Sequence, residues 1–131
     1  MKEILVPISP GELLDKITIL RIKAARMSDA AKVANVRHEL ALLEKVWKDS
    51  GAAAVELGSE EANLTRVNEA LWIIEDDIRG EERAGRFGPK FIELARAVYV
   101  TNDERAAIKK RINTLLGSSI VEEKSYRPYS S

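Results

Sequence analysis

The chain has 131 residues, with no cysteine, a single histidine and only 5% aromatic residues. The missing cysteines exclude disulfides, thiolate nucleophiles and Cys-based zinc sites. One histidine, His38, cannot supply the histidine pair of a metal centre. Between Ala34 and Leu42 on a helical stretch it reads as a flanking or surface residue. Few aromatics beside 45% hydrophobic and 32% charged residues favour helix over sheet. The 21 basic and 21 acidic residues cancel. The overall basic footprint of a nucleic-acid or anionic-membrane binder is therefore absent, and no nucleic-acid partner is expected. No apolar run approaches the ~18 residues of a membrane span. Glu3 and Pro7 interrupt the first apolar stretch, so it is not a signal peptide. The expectation is a cytoplasmic protein without membrane insertion. The glycines are scattered as stops and form no phosphate-binding loop; neither cofactor nor metal is expected.

What is present is helical punctuation. Ser9, Pro10 and Glu12 form a capping box with proline at the first helical position. Leu13, Ile17, Leu20, Ala24 and Met27 then make one apolar stripe, and Leu14, Ile19 and Ile22 lie off it. A helix apolar on more than one side is central or shared between subunits. A second helix, capped by Ser28 or Asp29, runs to about Asp49 with a seam of Val33, Val36, Leu40, Leu43 and Trp47. Gly51 stops it, although the alanines after it can extend the helix. Ser59 caps a third helix with the seam Leu64, Val67, Leu71, Ile74 and Ile78. Of its two possible ends, Gly80 and Gly85, the second is preferred because EERA between them is a good helix former. Pro89 opens a fourth helix through Phe91, Leu94 and Val98. The run Val98–Thr101 is poor helix former, and TNDE is a second capping-box pattern, so this helix either divides near Thr101 or continues to Gly117. Residues 3–8 can form an edge strand, and Ile120 and Val121 can pair with them as a two-stranded ribbon. Residues 127–131 are expected to be disordered. The fold expected is all-α, an antiparallel bundle of four long helices with short extended terminal segments, in one domain spanning 1–131.

The motifs GELLDKITILRIKAAR, VANVRHELALLE, VNEALWIIEDDIR and FGPKFIELARAVYVTNDERAAIKKRINTLLGS, with VEEKSY, resemble a family of uncharacterised bacterial proteins. It is a domain-of-unknown-function family, and the resemblance covers roughly residues 4–126. It implies a small helical protein and carries no catalytic residues.

The candidate chemistry is electrostatic. Glu12 and Asp15 make an ExxD pair, and Glu75, Asp76 and Asp77 add acids on the third helix. Magnesium pyrophosphohydrolases use such pairs, but no ExxE occurs, and Glu75 is spaced to pair with Arg79. Asp15 and Arg26 are spaced as in helical chorismate mutases, a match that Arg-rich helices produce by chance. Lys109, Lys110 and Arg111 read as a solvated basic face. Trp47 reads as core, and Trp72 as a mark of an interface. If the fourth helix continues, its stripe reaches Thr101 and Arg105 before Ile108, Ile112 and Leu115. Arg105 then points inward beside Asn102 and needs an acid, for which Asp15 and Glu12 are best placed. The ligand-binding candidates are therefore Glu12, Asp15, Lys16, Asn102 and Arg105. The functional expectation is a homodimeric, non-catalytic interaction or adaptor protein. The alternative is a small enzyme or ligand-binding domain for a phosphorylated or carboxylated metabolite, working through an Asp15/Lys16/Arg105 cluster.

Overall fold

The structure is a computed structural model that describes residues 1–130. Four helices make the fold: α1 (Pro10–Arg26), α2 (Ala30–Asp49), α3 (Glu60–Ala84) and α4 (Pro89–Leu115), with one 3₁₀ turn at Ala52–Ala54. Ser9 caps α1 by accepting the Glu12 N–H at 3.3 Å, with Pro10 first in the helix. The other half of the capping box is replaced, because the Glu12 carboxylate turns to Lys109 of α4. Asp29, not Ser28, caps α2 by accepting from the Lys32 N–H at 3.0 Å. Gly51, at φ 84°, ends α2, and the alanines after it close into the 3₁₀ turn instead of extending the helix.

Ser59 sits at the start of α3 but makes no capping bond. Its backbone (φ −91°, ψ 2°) departs from the extended conformation that aims an N-cap hydroxyl at the first turn. The α3 helix passes through Gly80 and ends at Gly85, whose φ of 68° needs glycine. Helix α4 runs unbroken through Thr101 for 27 residues. Cross-bundle pairs just beyond this run, Glu104 with Arg66 of α3 and Arg105 with Asp15 of α1, override the weak local propensity of Val98–Thr101.

Helix α1 is central, touching α2, α3 and α4. This explains its surplus of apolar residues: Leu14 and Ile22 are buried within the chain and Ile19 is half-buried. The main core joins Leu14, Leu57, Leu64, Val67, Ile108 and Ile112, with Trp47 and Leu116 packed against it. Contacts rise along α1 as they fall along α4, pairing Gly11 with Asn113, Glu12 with Lys109 and Asp15 with Arg105. These helices therefore run in opposite directions where they meet. Glu60 with Arg111 and Arg66 with Glu104 give α3 and α4 the same relation.

Helix α2 packs chiefly on α1, and none of its residues is fully buried; its whole predicted seam is half-covered. Past Leu71, the α3–α4 pair likewise keeps Ile74, Ile78, Phe91, Ala95 and Val98 only half-covered.

No strand or ribbon forms among the described residues. Residues 1–7 and Ile120–Val121 are exposed. The Ser118 hydroxyl donates to the Ile120 carbonyl at 2.8 Å and accepts its N–H at 3.1 Å, which withdraws both groups from any ladder. In the C-terminal segment Tyr129 lies against Tyr99, with centroids 5.6 Å apart. Of the tail expected to be disordered, Ser131 lies outside the described residues. No helix among the described residues is long and apolar enough to cross a membrane.

Candidate functional site

One turn before the buried Ile108, the α4 stripe presents Arg105 to α1. Asp15 faces it from α1, only 1% exposed. The guanidinium engages both carboxylate oxygens: Nε donates to Oδ1 at 2.9 Å and Nη2 donates to Oδ2. This two-pronged arrangement fixes direction as well as charge. Nη1 donates to Asn102 Oδ1 at 3.4 Å. From α3, Asn68 Nδ2 donates to Asp15 Oδ1 at 2.9 Å and to Thr18 Oγ1 at 3.0 Å, while Thr18 Oγ1 donates to the Asp15 carbonyl at 2.8 Å. No buried side-chain polar atom among the described residues lacks a partner. The hydrogen bond to Asp15 is the main reason that the Arg105 guanidinium is held above its ordinary pKa. Burial opposes it, and the charges of Asp15, Glu12 and Glu122 add to it.

A second pair lies one turn further along α4. Lys109, 7% exposed, donates to Glu12 at 2.5 Å and lies 3.2 Å from Glu122 of the C-terminal segment. Burial alone pushes this ammonium's pKa down. The hydrogen bonds to Glu12 and Glu122 and the charges of Asp15 and Glu12 outweigh that push, and the net pKa is raised. Another turn on, Asn113 Oδ1 accepts the Gly11 N–H at 2.6 Å. A Cβ on Gly11 would stand 2.5 Å from the Lys109 carbonyl oxygen, so this glycine is no stop: it lets α1 and α4 approach. Arg105, Lys109 and Asn113, spaced by four, thus form a polar stripe beside the apolar Ile108–Ile112 edge.

Of the residues singled out from sequence, Asp15, Asn102 and Arg105 meet, and Glu12 joins them through Lys109. Lys16 does not: its side chain is half-exposed and faces Glu12 at 3.8 Å. Lys109 was expected in a solvated basic run. Its i,i+4 relation to Arg105 puts it on the α1 side, while Lys110 and Arg111 stay exposed and Arg111 pairs with Glu60 at 3.0 Å. Thr18, Asn68, Lys109, Asn113 and Gly11 were missed as site residues. Asn68 carried a signal, since it lies four after Leu64 and three before Leu71.

Two grooves flank the cluster, and Asn102 and Arg105 line both. One, of about 420 Å³, runs along α4 beneath the C-terminal segment, with Tyr99, Lys109, Lys124 and Arg127 in its walls. The other, of about 400 Å³, lies between α1 and α3 beside Ile19, Ile22, Trp72 and Arg79. Glu75 sits 3.4 Å from Arg79, as its spacing suggests. Among the described residues no three acids or histidines converge as a metal site would require. The Asp15 and Glu12 carboxylates of the cluster are engaged by cations, which leaves the cluster hydrogen-bond donors to offer and no free base.

A family of unknown function (DUF6165) matches residues 4–131. The chain belongs to that family. This agrees with the resemblance carried by the helical motifs and assigns no chemistry to any residue. No curated protein and no solved structure matches the chain.

Proposed function

We propose that the protein is a non-catalytic interaction protein that works as a homodimer. The observation that carries this reading is the unequal covering of its apolar surface. Helix α2 buries none of its residues fully and shows Leu42 and Val46 to solvent; the α3–α4 pair shows Ile73, Ile92 and Val100. The surplus apolar face of α1 is no longer an argument, because α1 is covered within the chain. A polar cluster whose carboxylates are both engaged by cations also supports a structural role over a catalytic one. A stable interface buries roughly 1,200–2,000 Å² in total. Light scattering at high micromolar protein should give twice the chain mass, and Val46→Glu or Ile92→Glu should return the monomer without unfolding it. Monomer mass for the unaltered chain overturns the proposal.

A second reading, a domain that binds a carboxylated or phosphorylated metabolite, is supported by Arg105. Its side chain is 28% exposed, held in a fixed direction by Asp15, and placed between two grooves. Asn102 and Arg105 would meet the ligand; Asp15 and Glu12 would hold the cations, and Lys16 would stay at the rim. Titration of such anions followed by amide chemical shifts should perturb Asn102 and Arg105. Shifts confined to other helices would dismiss it.

A further inference from the structure

We propose that the groove along α4 between Tyr99 and Lys109 binds the carboxylate or phosphate of a small molecule, and that Glu122 fills its anion position in the free protein; this deepens the ligand-binding reading of the Arg105 site and rests on it. Arg105 and Lys109 are four residues apart on one helix face, an arrangement of like charges that is unfavourable without an anion beside it. On the α1 side Asp15 and Glu12 supply that anion. On the groove side, the acids in the walls are Asp103 and Glu122, against Arg105, Lys109, Lys124 and Arg127. Asp103 is taken by Lys124 at 2.9 Å, and Glu122 alone reaches Lys109. Three of the five guanidinium N–H groups of Arg105 are engaged, by Asp15 and Asn102, so two are left. The α4 wall of the groove therefore presents held cationic donors in partly desolvated surroundings, conditions under which an anion is bound more strongly than at an open surface.

Glu122 is suited to being displaced. Its carboxylate is half in water, and residues 121–130 are all exposed and form no helix or strand. The segment is held over the groove by the Glu122 and Lys124 pairs and by the Tyr99–Tyr129 contact. The acids of both ion pairs, Glu122 and Asp103, are about half in water, which weakens the pairs. The groove volume of about 420 Å³ falls within the range of small-molecule sites, and Tyr99, Tyr126 and Tyr129 offer flat apolar walls for the ligand body.

The test is an amide-shift titration of the full chain, unaltered and as Glu122→Gln, with phenyl phosphate and separately with benzoate. Either probe should shift Asn102, Arg105 and Lys109, and the preferred probe identifies the head group. The Glu122→Gln protein should bind about tenfold tighter, the worth of one hydrogen bond to a charged group. Because Glu122 is exposed, this variant folds as the parent does. No saturable shift in either protein overturns the site together with the reading beneath it. Shifts at these residues with equal affinity in both proteins overturn the role of Glu122 alone and leave the ligand-binding reading standing.

Discussion

The two ends of this bundle are built by opposite rules. Around the first half of α1, every apolar stripe meets another: Leu14, Ile17, Leu64, Ile108 and Ile112 are essentially inaccessible, and the polar groups among them are paired. On α2 and on the α3–α4 pair beyond Leu71, equally regular seams remain half-covered, with Leu94 their one buried member. The periodicity is the same in both regions; what differs is the number of neighbours. Helix α1 has three helices around it, whereas α2 and the far α3–α4 pair each lean chiefly on one. Stability should therefore reside at the α1 end, leaving the other surfaces to contribute mainly to association.

The sharpest way to break this contrast is to unpair the buried charge. Arg105→Gln leaves the Asp15 carboxyl group enclosed without its cation, and should cost about 3–5 kcal/mol in urea unfolding. Asp15→Asn should cost less, because the partly exposed Arg105 can reach water. Equal costs would show that burial does not govern the pair. Next in size are apolar truncations. Leu64→Ala should lose about 2–5 kcal/mol, and Ile78→Ala at most half of that, since Ile78 vacates less enclosed space. Similar losses would erase the distinction between the ends. Gly11→Ala should cost about 1–3 kcal/mol, because its methyl group meets the α4 backbone. Among the caps, Ser9→Ala should lower stability by about 0.5–2 kcal/mol, while Ser59→Ala should change it by less than about 0.5 kcal/mol. The smallest effect should come from pH. Lys109 has a raised pKa in the folded state, so its contribution is fully present below the ordinary lysine value of about 10.4. It is lost as pH rises through the folded value. Urea midpoints taken between about pH 9 and about pH 11 should fall more steeply for the unaltered chain than for Lys109→Met.

Much of the fold was legible because helix starts and stops are local. Ser9 with Pro10, Gly51, Gly85 and Pro89 each act within a few residues of themselves, and each is where the punctuation placed it. The continuity of α4 was not legible, because it depends on what Glu104 and Arg105 find across the bundle. The Arg105–Asp15 pair followed from one inconsistency, a charge on an apolar stripe, and such inconsistencies mark sites more often than errors. Lys109 escaped because a triplet of basic residues looks solvated until the helix phase is known. Gly11 escaped because nothing local distinguishes a glycine that admits another helix from one that merely stops its own. Ser59 had the right residue type and the wrong backbone angles.

The polar stripe on α4 also settles where that helix can sit along its length. A purely apolar seam repeats every seven residues, and α4 could slide against α1 by roughly 10 Å and meet a nearly equivalent surface. Arg105 removes that freedom. One heptad either way along α1 the residue in place of Asp15 is Ile8 or Ile22, while Asp15 would be left enclosed without its cation. Gly11 and Asn113 add a second notch, because only a residue without a side chain admits the Lys109 carbonyl at that point. Together they act as a key cut for one alignment, so that a sequence of near-repeating stripes has a single way to close.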